Sequence, residues 1–151
     1  MKDYAYSKTL DLYMVLELEG DVIKKLSFQS EKPNIRRTSS EVVKDLEEYF
    51  DTGKIDMSKY RTDLSGLTEF EKRVLKATSD IPPGKTMAYS EVAKAAGNPG
   101  AARAVGNVLA KNPFPVIIPC HRVVAKNSIG GFTGDINVKI ALLKLEGAIK
   151  Q

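Results

Sequence analysis

The sequence predicts an α+β protein. A small strand-and-helix unit over residues 1–66 precedes a mostly helical unit over residues 67–151. Three observations carry this. Apolar and polar residues alternate along LDLYMVLELEG, apolar residues recur at helical spacing in later stretches, and the charge balance changes sign near Gly66.

The elements follow in order. Leu10, Leu12, Met14, Leu16 and Leu18 fall on one face of a strand. Glu19-Gly20-Asp21 is a turn, and VIKKLSFQ is the returning strand of a hairpin. Residues 30–40 read as loop. Thr38 and Glu41 have capping-box spacing ahead of EVVKDLEEYF, where Val42, Val43, Leu46, Tyr49 and Phe50 share a helical face. GKIDMSKYRTDLSG is a polar connector that ends the first unit.

Thr68 and Glu71 make a second capping-box pattern, opening a helix over FEKRVLKATSDI that IPPGK stops. Ser90 is placed to cap a short helix that Gly97 ends. Asn98-Pro99-Gly100 is a turn, and another helix runs from about Ala101 to Lys111. Helix, short glycine-containing turn and helix give the outline of a helix-turn-helix, an outline that many helical hairpins share without touching DNA. On its second helix Val105, Val108 and Leu109 form the buried face. Arg103, Gly106, Asn107 and Ala110 form the outer one, a long cation among small residues.

At 151 residues, with 42% hydrophobic and 28% charged residues, the chain is an ordinary globular one, long enough for a core without staples. One cysteine rules out an internal disulfide, argues against a cysteine-rich zinc site and suits the reducing cytoplasm. The acidic N-terminal stretch does not read as a signal peptide. No apolar run approaches the ~18 residues of a membrane helix. Residues 1–66 carry 11 Lys+Arg against 13 Asp+Glu, and residues 67–151 carry 12 against 6. A basic second half suits a polyanionic partner; a solvated basic face carries the same charges.

The chemistry concentrates in VIIPCHRVV, residues 116–124. The single cysteine, Cys120, adjoins the single histidine, His121, in an apolar stretch. Pro119 pushes Ile118 toward extended geometry, so the segment is not a helix. A lone buried cysteine is usually a small hydrophobe and a lone buried histidine a satisfied core residue. Together they fit a thiol with a base at hand, because a thiol of pKa ~8.5 is mostly protonated at neutral pH. A third group must orient such a base. Glu146, at the end of the apolar last helix INVKIALLKLEGA, is one of several candidates.

These residues resemble the O6-alkylguanine-DNA alkyltransferase family. The likeness rests on PCHRV at 119–123 within NPFPVIIPCHRV, on the tyrosine of MAYSEVA, on NPGAARAVG, and on IGGFTG and LLKLEG. It covers residues 68–151, while the first half matches only in general plan, a domain resembling a ribonuclease H-like fold. The resemblance implies methylated-DNA–protein-cysteine S-methyltransferase activity. An alkyl group passes irreversibly, once per molecule, from O6-alkylguanine in double-stranded DNA to Cys120. No cofactor or metal is implied, and the protein is expected to act as a monomer in the cytoplasm.

Roles follow by resemblance. His121 takes the thiol proton through a water, and Glu146 orients His121. Asn112, by pattern a helix C-cap ahead of Pro113, braces the active-site loop. Tyr89 presses on the target nucleotide and helps protonate the departing guanine. Arg103 fills the space of the flipped base, and Ser90, Ala102 and Gly106 lie against DNA. Pro115, Val123, Phe132 and Thr133 line the base pocket, and Lys139 supports the loop. Phe132 stands where well-studied relatives often carry tyrosine.

The chemistry accounts for these demands. Displacement at an sp³ carbon wants a soft nucleophile, and a lesion inside a duplex must be flipped out to reach it. Two rivals are a DNA-binding module without catalysis and a thiol hydrolase. Relatives that only sense lesions lack the cysteine, and a hydrolase gives no reason for the basic helical half.

Overall fold

The computed structural model describes residues 1–131 and 135–150. The chain begins with β1 (Lys2–Ser7), β2 (Leu12–Glu19) and β3 (Val22–Gln29), which form an antiparallel meander. β2 buries Met14, Leu16 and Leu18, the face its alternation predicts, and Gly20 takes a positive φ of 60° in the β2–β3 turn. β1 is not legible as a strand, because its inward positions include the polar Asp3 and Ser7. Asp3 earns its burial by bonding. Its carboxylate accepts the backbone N–H groups of Tyr4, Thr38 and Ser40 and the Ser40 hydroxyl. Burial opposes ionisation, but those bonds win and lower its pKa to about 2.

This corrects the capping expected at Thr38. The residue before α1 (Glu41–Thr52) is Ser40, whose hydroxyl is turned to Asp3 rather than to the helix, and Thr38 gives its N–H to the same carboxylate. α1 packs Val42, Val43, Leu46, Tyr49 and Phe50 into the core, each burial worth about 1.5–3 kcal/mol. The connector that follows holds a turn of 3₁₀ helix at Met57–Lys59. It then adds a strand too short to leave a pattern, β4 (Arg61–Thr62), parallel to β3 at the edge of the sheet.

The helical part comprises α2 (Glu69–Ser79), α3 (Tyr89–Ala95), α4 (Ala102–Ala110) and α5 (Ile136–Leu145). The Thr68–Glu71 capping box forms as its spacing predicts, with both reciprocal bonds made. Ser90 is not the cap of α3. The helix starts one residue earlier, at Tyr89, and Glu91 accepts the Ala88 N–H at 2.8 Å. Gly97, at φ 84°, ends that turn. Lys111 caps α4, with Asn112 one residue beyond it.

Two-residue strands β5 (Met87–Ala88) and β6 (Val123–Val124) pair in parallel. This small sheet matters to the site. β5 runs directly into Tyr89, and β6 directly follows the turn that carries Cys120.

One apolar core runs through both parts, from Ala5, Leu16 and Ile23 to Val105, Leu109 and Leu142. Gly53 marks a tight point of contact. It ends α1 at φ 68°, its N–H bonds the Tyr49 carbonyl at 2.7 Å, and a Cβ there would stand 2.8 Å from the Leu145 carbonyl carbon of α5. Gly53→Ala combines left-handed strain with a backbone collision. A loss of about 2–3 kcal/mol is expected. Urea unfolding would measure it, and a loss under about 0.5 kcal/mol, the size of an ordinary surface change, would show that α1 and α5 do not abut in this way.

Candidate active site

Cys120 lies on a single 3₁₀ turn, Cys120–Arg122, entered through Pro119 and left through β6. The chain reaches it from α4 through a turn closed from inside by Asn112. Asn112 Oδ1 accepts the Phe114 N–H at 3.0 Å, and Nδ2 donates to the Ile118 carbonyl at 2.9 Å. Within that turn Val116 has φ 74°, in the left-handed region that β-branched residues avoid. Such a conformation costs about 1–3 kcal/mol and persists only where its surroundings impose it. Here the surroundings are buried Phe114, Ile117 and Ile118 and the two bonds of Asn112.

The thiol is 5% exposed. Burial pushes it above its ordinary pKa, while hydrogen bonding from Asn112 and the charge of Lys139 pull the other way. Unaided, it is protonated at neutral pH, so transfer from sulfur requires a base.

His121 is fully buried, and its Nε2 stands 2.8 Å from Glu146 Oε2. Glu146 caps the C-terminal end of α5, with its side chain wholly shielded. Arg122 grips the same carboxylate with both arms, Nε to Oε1 at 2.9 Å and Nη2 to Oε2 at 2.7 Å, and gives Nη1 to the Ile81 carbonyl at 2.7 Å. The Tyr49 hydroxyl donates to Oε2 as well. Burial raises the Glu146 pKa, but the bonds from His121 and Arg122 outweigh it and hold the carboxyl at about 2. Glu146 is therefore an anion.

Burial lowers the His121 pKa, and Glu146 offsets only part of that. The imidazole is thus neutral near pH 7. An anionic acceptor at Nε2 fixes the proton there and leaves the lone pair on Nδ1. Nδ1 has no hydrogen-bond partner among the described residues. A neutral, oriented imidazole with a free lone pair, on the residue next to a thiol, has the chemistry a general base needs.

Lys139 on α5 is fully buried and donates to the Val123 and Gly131 carbonyls, both at 2.7 Å. Burial lowers its pKa to about 8, against the charge of Cys120. Its ammonium lies 5.8 Å from the centre of the Tyr89 ring. The Tyr89 hydroxyl reaches the Gly131 carbonyl at 3.4 Å. Gly130, at φ 82°, touches that ring so closely that a Cβ would come within 2.9 Å of it.

Cys120, Tyr89, Gly130 and Gly131 border one cavity of about 620 Å³. Its walls include Cys120, Tyr89, Arg103, Ala102 and Gly106, five residues named from the sequence, with Ala125 and Gly130 besides. Arg103 is exposed on the outer face of α4, and a Cβ at Gly106 would meet the Tyr89 ring in ordinary contact at 3.9 Å. Ser90 is exposed on α3 and is not part of the wall, nor are Pro115, which bridges to Ile118, and buried Val123. Phe132 and Thr133 lie outside the described residues.

Arg122 and Tyr49 have no functional reading in the sequence. Arg122 had a signal, its place beside His121. Tyr49 had none, since its partner is 97 residues away. Among the described residues no group of three or more His, Cys, Asp or Glu could hold a metal ion, and no helix is long and apolar enough to cross a membrane.

Comparison with known proteins gives a consistent picture. A family model described as the 6-O-methylguanine DNA methyltransferase DNA-binding domain matches residues 69–148. The chain is 41% identical over 144 residues to a methylated-DNA–protein-cysteine methyltransferase of Archaeoglobus fulgidus, covering 91% of this chain and 94% of that one. It is 37% identical over 134 residues to the protein of the same name from Methanothermobacter thermautotrophicus, covering 88% and 72%. Among solved structures, Mycobacterium tuberculosis OGT in complex with DNA superposes with a TM-score of 0.80 at 35% identity, covering 97% of this chain and 92% of that one.

Proposed function

Because the chain belongs to the 6-O-methylguanine DNA methyltransferase family, we propose that it repairs DNA by direct reversal, taking the alkyl group of O6-alkylguanine onto Cys120 once per molecule. The observation that carries this is the shared cavity. It brings a buried thiol together with Tyr89 and with Arg103 and Gly106 of α4, and the residue next to the thiol, His121, is bonded to Glu146.

The chain divides near Gly66. Residues 1–66 form the N-terminal unit, ribonuclease H-like in plan, and residues 67–151 form the DNA-binding alkyltransferase unit. α3 and α4 act as a helix-turn-helix laid in the minor groove. Ser90, Ala102 and Gly106 lie against the backbone, and Arg103 enters the stack where the lesion leaves it. A flipped guanine then fits the cavity. Phe132 and Thr133 complete the pocket in this reading.

The thiol proton passes through a water to His121 Nδ1. Cys120 Sγ attacks the alkyl carbon, the sulfur–carbon bond forms, and the carbon–oxygen bond breaks. Its electron pair goes to guanine, which Tyr89 protonates. His121, still bearing the thiol proton, restores the Tyr89 proton through solvent, so the thiol's proton in effect ends on guanine. Lys139 holds the loop carbonyls on either side. The product is a thioether, which leaves the cysteine spent. The protein works as a monomer in the cytoplasm.

The direct test is mass spectrometry after mixing with duplex DNA containing O6-methylguanine. The chain should gain one methyl group, confined to the peptide bearing Cys120, while the DNA regains guanine. Repair of more than one lesion per chain, or a methyl group on another residue, refutes the proposal.

Arg103→Ala separates flipping from chemistry. Unstacking a base costs a few kcal/mol, and Arg103 offsets part of it. Transfer from duplex should fall about tenfold or more, while transfer from free O6-alkylguanine stays near the parent rate. Equal losses on both substrates would remove Arg103 from the flipping step.

A further inference from the structure

We propose that Tyr49, on α1, is a positioning residue for alkyl transfer, acting through Glu146 to set how strongly His121 accepts the thiol proton. Glu146 Oε2 accepts from three donors: His121 Nε2, Arg122 Nη2 and the Tyr49 hydroxyl. Two of these belong to the turn that carries Cys120. The third comes from the helix that covers the sheet, far away in sequence.

Tyr49 is wholly buried, and its ring packs edge-on against Phe50 at 5.6 Å. Gly53, one turn later, closes α1 against Leu145, the neighbour of Glu146. The hydroxyl is therefore held in place from both sides. Burial and the Glu146 charge keep its proton on, so it donates throughout the working range.

A donor that shares an acceptor draws charge away from the other bonds to that atom. With Tyr49 in place, Oε2 pulls less on the Nε2 proton, and the imidazole is less basic than Glu146 alone would make it. Arg122 works in the same direction, and so does Lys139, whose charge also reaches His121. The catalytic pair is thus tuned from the first half of the chain, which supplies no residue to the cavity wall. This rests on the reading of His121 as the proton acceptor.

The chain has one histidine, so imidazole NMR of the full protein reports on His121 alone. In Tyr49→Phe the Nε2 proton resonance should move downfield as its bond to Glu146 strengthens. The imidazole titration should move to higher pH, and the acid limb of the transfer rate on O6-methylguanine duplex should move with it. A fluorinated tyrosine placed at position 49, a stronger donor of the same shape, should move all three the opposite way. Leu46→Val, which loosens the same helix without touching Glu146, should move none.

An imidazole that does not respond to Tyr49→Phe, or responds equally to Leu46→Val, makes Tyr49 a packing residue and overturns the proposal. An imidazole that shifts without the acid limb overturns it differently, because His121 is then not the base.

Discussion

Cys120→Ser should abolish alkyl transfer while the protein binds duplex DNA as the parent does. Serine keeps the shape of the side chain, and Asn112 can still hydrogen bond to it. A hydroxyl is far less nucleophilic at carbon than a thiol, and a neutral imidazole cannot remove its proton to any useful degree. Burial pushes the Cys120 thiol up, and hydrogen bonding from Asn112, the charge of Lys139 and the backbone N–H groups of Cys120 and His121 pull it back. Transfer is followed by the mass of the chain and binding by fluorescence anisotropy. Methyl uptake by the serine variant would place the acceptor elsewhere. Loss of DNA binding would mean that the substitution had damaged the fold.

Glu146→Gln should damage both stability and rate. It leaves the Arg122 guanidinium, 3% exposed, without an anion, and breaking a buried pair costs about 3–5 kcal/mol. The pH dependence has a definite sign. The Glu146 pKa is about 2 in the folded chain against an ordinary 4.5, which corresponds to about 3 kcal/mol. That stabilisation is fully present above pH 4.5 and disappears as pH falls through 2. The gap between parent and variant in urea unfolding should therefore be wide at pH 7 and narrow on acidification.

His121 adds to the parent's acid sensitivity. Its pKa is lowered, so below its ordinary 6.5 the unfolded chain takes up a proton that the folded one refuses. For the rate, losing the carboxylate makes His121 a weaker base. The loss should shrink as pH rises and the thiol ionises unaided. A stability gap that does not change with pH, or a rate loss equally large at high pH, would show that Glu146 is not the ionised partner of His121.

The parts of this molecule legible in the sequence are those specified by neighbours along the chain. The alternation in β2, the capping box of α2 and the glycine that ends α3 each declare themselves within a few residues. So does the pairing of Cys120 with His121. β1 was hidden because Asp3 and Ser7 interrupt its apolar face, and Asp3 is intelligible only once Thr38 and Ser40 reach it. The cap of α3 is misread from sequence because Ser90 has the right chemistry two residues too late, while Glu91 accepts the Ala88 N–H from inside the helix. Glu146 was visible as a candidate among several carboxylates. What selects it is convergence in space, with Tyr49, His121 and Arg122 arriving from separate elements. No local pattern encodes that meeting.

Val116 has a consequence for the order of assembly. A valine does not choose a left-handed backbone, so the segment that carries the nucleophile cannot take shape from its own preferences. It is bent into place by Asn112 and by the packing of Phe114, Ile117 and Ile118, which exist only once α4 and the core have formed. In a half-folded chain the turn relaxes, and Cys120 has no reason to face the cavity. Reactivity is thereby tied to completion. A nascent or damaged molecule carries a thiol open to solvent, and only the finished fold sets it in the cavity wall with Tyr89.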